Sequence, residues 1–550
     1  NSNTNTPYEI KIYNNVLPKV DKENPYMYLG VPVGNNSCQD MDDILNQTLI
    51  DIDKVANSPL TPPQFIHAYK TFFHSRLVFP FRTRVVTLST LTCPSKQQAG
   101  NRPPRYGYDE LVRAIMKKKL LHYKKFTLNN SFLYAATKYG GAGLVAARDE
   151  YCLDKIVAAV RFLNSNDSYI RELSRNKLLY QASLRCPPTT TIGAALGWLD
   201  TSRTTIVDDH ASWWTEVRRC FTYLKTQLKI GAKLVLAEDA INIIFTFDNN
   251  GPSTTFCNAD NKKNLCRIMH DIVATRHFHD WKNMSQQGAV TKALALSRLS
   301  NTAVMNGLLT LTDFYFIVLA RNNILPLKHK IWKQTDAEAC NDEIPNLENP
   351  EITSKQRRRN NAPISTFSDV ACRRCGKSKE TMIHVFNLCE YNEGLRDFRH
   401  DDLLRLLVEL LQSRKIDCNV EHQHVEINSV LKPDIVIKLN AKKLIMVIDV
   451  KSPFDFVGNF RKVHTENVAK YSDMAQKLGK FHKYNYKVFT FIVGALGSWH
   501  PDNEVILTLL DIPQNLINKL AIDCSRRAIN ISSKIWAKHD AHVTRGHGYD

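Results

Sequence analysis

Cys372, Cys375, His384 and Cys389 stand at the spacing C-x2-C-x8-H-x4-C, and no other feature of the 550-residue sequence restricts local folding so tightly. Two thiolates this close fit one tight turn, and a third thiolate and an imidazole return from a short element behind it. The spacing therefore predicts a closed, four-ligand zinc site. Gly376, directly after the second cysteine, suits a turn in which backbone folds beneath a metal with no side chain in the way. Four protein ligands leave no open position for water chemistry, so the site is expected to serve folding and nucleic-acid contact. His277 with His279 and His422 with His424 form H-x-H pairs, but neither has nearby partners of suitable type, and both pairs read as ordinary surface or core histidines.

The second constraint is a pair of acids on adjoining strand patterns. Lys432-Pro433-Asp434 leads into Ile435–Leu439, the chain turns near Asn440-Ala441, and Leu444–Lys451 follows with Asp449 close to its end. In an antiparallel hairpin the start of one strand and the end of the next share one end of the sheet, so Asp434 and Asp449 converge. Hard carboxylate oxygens meeting there suit magnesium or manganese, which bridges a phosphodiester oxygen and an attacking water. Strand side chains repeat a face every second residue, which brings the Lys451 ammonium beside Asp449 to orient the water and offset developing negative charge. The arrangement P-D-x14-D-x-K resembles the PD-(D/E)xK core of restriction-like nucleases. A helical pattern at 401–413 precedes these strands, and a later strand at 487–493 follows a helix containing Ala469-Lys470-Tyr471, which resembles that fold's order of one helix, three strands, a helix and a strand. From this second helix Lys470 is expected to reach a phosphate and Tyr471 to stack or hydrogen-bond near it. Glu409, in the first helix, is a further candidate for an accessory metal ligand.

A formal charge of +19, from 73 Lys and Arg against 54 Asp and Glu, makes nucleic acid the leading partner class. The 13 cysteines mostly stand alone over this length, which argues against a secreted disulfide framework and for a reducing interior. Residues 1–7 carry no signal-peptide pattern, and the apolar runs at 314–320 and 444–448 fall far short of a bilayer span, so a soluble, intracellular protein with no membrane partner is expected. The length predicts two to four domains. Strand-like pieces at 26–34 precede helical patterns at 41–55 and from Thr61, where Pro62 and Pro63 suit a first turn. A Pro/Gly/basic linker at 96–105 leads to a basic helix at 110–126, helical periodicity dominates 150–335, and 336–362 is a boundary loop with a basic end.

Together these pieces resemble the C-terminal half of site-specific non-long-terminal-repeat (LINE-type) retrotransposon proteins that carry a restriction-like endonuclease, the group that inserts in ribosomal RNA or spliced-leader genes. The resemblance covers nearly the whole chain. Residues 28–34 resemble the tail of a reverse-transcriptase palm and 59–81 its thumb helices; 140–144 and 321–326 resemble landmarks of the following linker. The Cys372 group, with Glu380-Thr381 and Arg399-His400, resembles the family's knuckle, and Lys432-Pro433-Asp434, Asp449, Lys470-Tyr471 and 493–499 resemble its nuclease.

The resemblance implies a multidomain α+β chain: palm end and thumb at 1–95, a mainly helical linker at 96–350, a CCHC zinc knuckle at 351–400, and a restriction-like α/β endonuclease at 401–550. It also implies nicking of target DNA in the nucleus, with magnesium or manganese, for target-primed reverse transcription of element RNA by an upstream palm. Many members supply the catalytic lysine from the helix; here both Lys451 and Lys470 are present. The polymerase's paired aspartates are missing, because Asp42-Asp43 and Asp208-Asp209 lack the hairpin setting that two-metal transfer requires, so no DNA synthesis is expected of this fragment. The competing expectation is an inactive or domesticated zinc-knuckle nucleic-acid binder.

Overall fold

A computed structural model describes residues 11–12, 15–16, 26–28, 31–33, 41–83, 86, 88–91, 107–121, 128–184, 191–200, 212–238, 240–247, 255–257, 262–328 and 370–544. The 96–105 linker, the end of the basic helix beyond Leu121, Asp208-Asp209 and the 336–362 loop lie outside these residues. The chain forms a mixed α+β protein of two compact units. The first comprises 1–58, 67–115 and 145–273, and the second 59–66, 116–144 and 274–550.

In the first unit, helices Asp42–Ala56, Ala147–Leu163, Ser168–Ser183 and Trp213–Thr226 accompany a three-stranded antiparallel sheet. Asp42-Asp43 open the first of these helices. The sheet, Ile230–Ala237, Ala240–Phe247 and Thr255–Cys257, interrupts the helical periodicity expected to dominate 150–335. Its signal was the alternation of buried Ile230, Ala232 and Leu234 with exposed Lys233, a period of two that lies between helices about twice as long.

Also in this unit, the buried carboxylate of Glu150 receives two imidazoles on one oxygen, His74 Nε2 at 3.1 Å and His270 Nε2 at 2.8 Å. Burial opposes the Glu150 charge, but hydrogen bonds from His270 and His74 outweigh it and hold the carboxyl at about 2 rather than 4.5. Burial likewise disfavours imidazolium at His270, yet hydrogen bonds with Cys266 and Glu150 raise it to about 10 from 6.5. A depressed acid stabilises the fold above its unfolded value and a raised base below its own. The pair's contribution is therefore complete between pH 4.5 and 6.5, fades as pH rises from 6.5 through about 10, and fades again as pH falls from 4.5 through about 2. Thermal unfolding followed from pH 6 to 10 is expected to show this alkaline decline, and His270→Gln is expected to flatten it; an unchanged slope would remove the pair from the stability profile.

The second unit contains a four-stranded sheet. Helix α1 (Glu393–Ser413) leads to β1 (Cys418–Val420), β2 (Ile435–Leu439) and β3 (Leu444–Lys451); α2 (Val457–His482) then crosses over to β4 (Asn485–Ile492), and α3 (Asp502–Leu509) and α4 (Gln514–Thr544) follow. The spatial order is β4-β3-β2-β1, with β3 parallel to β4 and the other pairs antiparallel. A hairpin suffices for β2 and β3, whereas a parallel neighbour requires a crossover, here the 26 residues of α2. Helix α1 begins eight residues before the predicted 401, because the chain coils directly out of the short turn that follows Cys389.

Packing follows the two faces of the pleat. Ile435, Ile437, Met446, Ile448, Val450 and Phe491 turn to a core with Leu403, Leu407 and Leu411 of α1, Ile506 of α3 and Ala521 of α4. The opposite face sets Val436, Ile445 and Val447 against Tyr471, Met474, Ala475 and Leu478, whose i, i+3, i+4, i+7 spacing forms the apolar stripe of α2. Strand β3 is buried on both faces, which explains its unbroken apolar run. Each fully buried Met, Ile or Val there contributes about 1.5–3 kcal/mol.

Candidate active site and metal centre

Alternation on β2 and β3 decides what meets what. Asp434 sits two residues before Val436, and Asp449 and Lys451 continue the Ile445–Val447 series, so all three share the α2 face. The β2–β3 register pairs Ile435 with Ile448, and one step further sets Asp434 opposite Asp449. Asp434 is 8% and Asp449 1% exposed, so neither charge is solvated as it would be at a surface. Lys451 Nζ lies 2.5 Å from Asp449 Oδ2, a close ion pair rather than an aligned hydrogen bond. Burial, and next the neighbouring Asp434 charge, push the Asp449 carboxyl up, while Lys451 and Tyr471 pull it back.

The buried Tyr471 ring comes from α2, its hydroxyl 3.4 Å from the Lys432 carbonyl. Burial and the Asp449 charge raise this phenol, which therefore stays protonated and keeps its hydrogen to donate. Lys470 is exposed, with its ammonium 4.6 Å from the Tyr471 ring centre. Adjacent helical residues point about 100° apart, so when Tyr471 faces the sheet Lys470 turns outward. Glu409 pairs with Arg405 on the exposed side of α1 and does not join the acids.

Sequence reasoning did not place His400 in this site. Its Nε2 is 3.1 Å from Asp434 Oδ2, the oxygen that also accepts the Val450 N–H at 2.6 Å. That hydrogen bond to Asp434 raises the imidazole to about 9, against the opposing effect of burial. Arg399, fully buried, donates to the carbonyls of Phe386 and Ser452 and to Ser532 Oγ, joining the Cys/His segment, the end of β3 and α4. The signal available was Arg399-His400 itself, but the partners of these two residues, Asp434 and Ser452 among them, lie far along the chain.

The residues 493–499 form a loop closed by a Val493–Trp499 bridge and built around Asp455, which accepts the Leu496 N–H at 2.6 Å and the Ser498 N–H at 3.1 Å. Only glycine fits at 494, because a Cβ there would stand 2.2 Å from Asp455 Oδ1. Arg321 donates to the Leu496 carbonyl from the other side and to Asn301 Oδ1, while Asn301 Nδ2 reaches the Lys138 carbonyl. Asn301 thus joins Arg321, at the start of the 321–326 stretch, to Lys138, two residues before the 140–144 stretch.

Cys372, Cys375, His384 and Cys389 offer ligand atoms that all lie within 4.8 Å of one another, a group able to hold a metal such as zinc. Cys375 Sγ and His384 Nε2 are 3.2 Å apart. The turn is built as expected: the Gly376 N–H reaches the Cys372 carbonyl at 2.8 Å, and Gly376 adopts φ +67°, a conformation costly for other residues. A short bridge between Ala371 and Lys379 closes the turn, and a π-helical turn, His384–Leu388, returns the imidazole and Cys389. Asn387 from that turn donates to the Ser452 carbonyl at 2.8 Å, which sets the Cys/His segment against the residue after Lys451. His277 and His279 sit on a helix rather than a strand, and His424 is engaged by Glu426 at 2.8 Å; among the described residues neither H-x-H pair belongs to a metal-capable group.

No family model matches this chain. An uncharacterised protein of Caenorhabditis elegans is 23% identical over 168 residues, covering 30% of this chain and 43% of that protein. The chain thus matches less than half of that relative's length. Among the described residues no helix is long and apolar enough to cross a membrane.

Proposed function

We propose that this chain is a metal-dependent DNA endonuclease with its catalytic centre at Asp434, Asp449 and Lys451 and a CCHC zinc knuckle beside it for nucleic-acid contact. The reading places the chain with LINE-type retrotransposon proteins, acting in the nucleus on target DNA, with element RNA and an upstream reverse-transcriptase palm as partners. The observation that carries it is the convergence of two nearly buried carboxylates and an ammonium at one end of the hairpin. The element order, one helix, three strands, a crossover helix and a fourth strand, agrees with a restriction-like nuclease core.

The donors suit a hard divalent cation. Asp434 and Asp449 present carboxylate oxygens on one face, and burial, with the neighbouring Asp434 charge next, raises the Asp449 carboxyl, a cost that a bound cation would offset. Asp434 and Asp449 would hold magnesium or manganese, which when bound lowers the pKa of a water and neutralises phosphate charge. Lys451 presents its ammonium to the scissile phosphate, stabilising charge that develops on the non-bridging oxygens. His400 and the Val450 N–H fix Asp434, and Tyr471 steadies Asp449. Water adds to phosphorus, the bond to the 3′ oxygen breaks, and a 3′ hydroxyl leaves, able to prime copying of RNA.

The geometry favours Lys451 over Lys470 as the catalytic lysine. In a supercoiled-plasmid nicking assay with magnesium, Lys451→Ala is expected to lower the rate by about 10²-fold or more, the scale of losing one charge-stabilising donor. Lys470→Ala is expected to lower it far less. The reverse order would assign the role to Lys470, and DNA binding with no nicking in either metal would leave the zinc-knuckle binder in its place.

A further inference from the structure

Behind the four ligands lies a second, buried corner. His539, in the last turns of α4, is wholly buried, and neither ring nitrogen makes an aligned hydrogen bond. Its Nε2 stands 3.4 Å from Glu380 Oε2. Atoms of Cys372, Glu380 and His539 all lie within 4.8 Å of one another, so the ring, which makes no aligned hydrogen bond, faces both a carboxylate and the first cysteine sulfur of the knuckle. An unpaired polar group in such a place is costly, and a native fold normally satisfies it.

Glu380 has little capacity left for a metal. It accepts the Arg373 backbone N–H at 2.7 Å, the Arg373 guanidinium on both oxygens and the Lys328 N–H at 3.1 Å. Arg373, between the two cysteines of the turn, also reaches Asp540 on α4 at 3.2 Å and the Pro326 carbonyl at 2.7 Å. The last turns of α4 are thereby fastened to the knuckle at Asp540, next to His539. A zinc ion with three thiolates and one neutral imidazole carries a net negative charge, and its sulfur atoms seek N–H donors.

We propose that His539 is a positioning residue of the zinc site: Glu380 orients the ring, and a ring N–H donates to the Cys372 thiolate. This rests on zinc occupying the four-ligand group. It makes α4, whose sequence begins well over 100 residues after Cys372, part of the metal centre and couples metal retention to docking of the C-terminal helix. Outer ligands of this kind typically change metal affinity about 10- to 100-fold.

The test uses the full chain with zinc and, separately, cobalt in its place. Competition with a chelator is expected to show that His539→Leu weakens zinc binding by about 10-fold or more, and that His539→Gln, which keeps an N–H donor, recovers most of it. The thiolate-to-cobalt charge-transfer band is expected to shift in the leucine variant and to stay near its original position in the glutamine variant. As a readout that needs no substitution, a cadmium-loaded chain with labelled histidine is expected to show scalar coupling between an imidazole proton and cadmium through the sulfur. Equal affinity and an unshifted band in His539→Leu, or no coupling, would overturn the inference while leaving zinc in place. Two ions per chain, one lost with His539→Leu, would overturn it in favour of a second metal on Cys372, Glu380 and His539. A chain that takes up no zinc would remove both this inference and the zinc knuckle.

Discussion

Asp449→Asn is expected to abolish magnesium-dependent nicking, by about 10²-fold or more, and to leave the fold as stable as before or slightly more so. The two halves of this expectation have separate causes. Asparagine keeps the shape and removes the charge, so the metal loses an anionic ligand and Lys451 its partner. Burial and Asp434 raise the Asp449 carboxyl, and an acid raised on folding binds its proton more tightly folded than unfolded. Its ionisation at neutral pH therefore works against folding, and removing the charge relieves that cost. Lys451 is partly exposed, with 38% of its side-chain surface open, and water compensates it once the pair is broken. Nicking rate and denaturation midpoint measured on one preparation separate the effects. Retained nicking would end the metal assignment; lost nicking with a collapsed midpoint would make Asp449 a structural residue.

Cys375→Ser is expected to take zinc content from about one ion per chain to near none and to unfold the knuckle locally. Structural zinc contributes about 10–16 kcal/mol of apparent binding energy in isolated finger peptides. Here the cost is confined, because Met382, Val385 and Phe386 are wholly buried and Phe386 packs edge-on to Phe316 at 5.7 Å, contacts that keep the segment near its place without metal. Elemental analysis reads the first effect and amide exchange across 372–392 the second. Nicking should fall as well, since Asn387 and Arg399 connect the knuckle to Ser452 beside Lys451. Zinc content unchanged by the substitution would refute the four-ligand assignment.

The two sites differ in how much of them a reader of the sequence obtains. Asp434, Asp449 and Lys451 share a face because strand side chains alternate and a short hairpin leaves little freedom of register. The cysteine turn is equally local, since Gly376 and the spacing alone bring Cys372 and Cys375 together. The sequence leads one to expect Lys470 at a phosphate and Tyr471 stacking or hydrogen-bonding near it. Which of two adjacent helical residues faces inward depends on the sheet that α2 packs against, and that places Tyr471 within and Lys470 without.

Local periodicity and short-range geometry thus determined the hairpin, its shared acidic face and the cysteine turn, since each needs only neighbouring residues to form. Long-range packing decided the rest. His400 meets Asp434 across 34 residues, Glu150 meets His74 and His270 across 76 and 120, and His539 reaches Glu380 from the far end of the second unit. Such meetings depend on how apolar faces stack, which no spacing along the chain records. The strands at 230–247 in the first unit belong with them, because an alternation only eight residues long becomes a sheet when a partner strand and a covering helix bury one side of it.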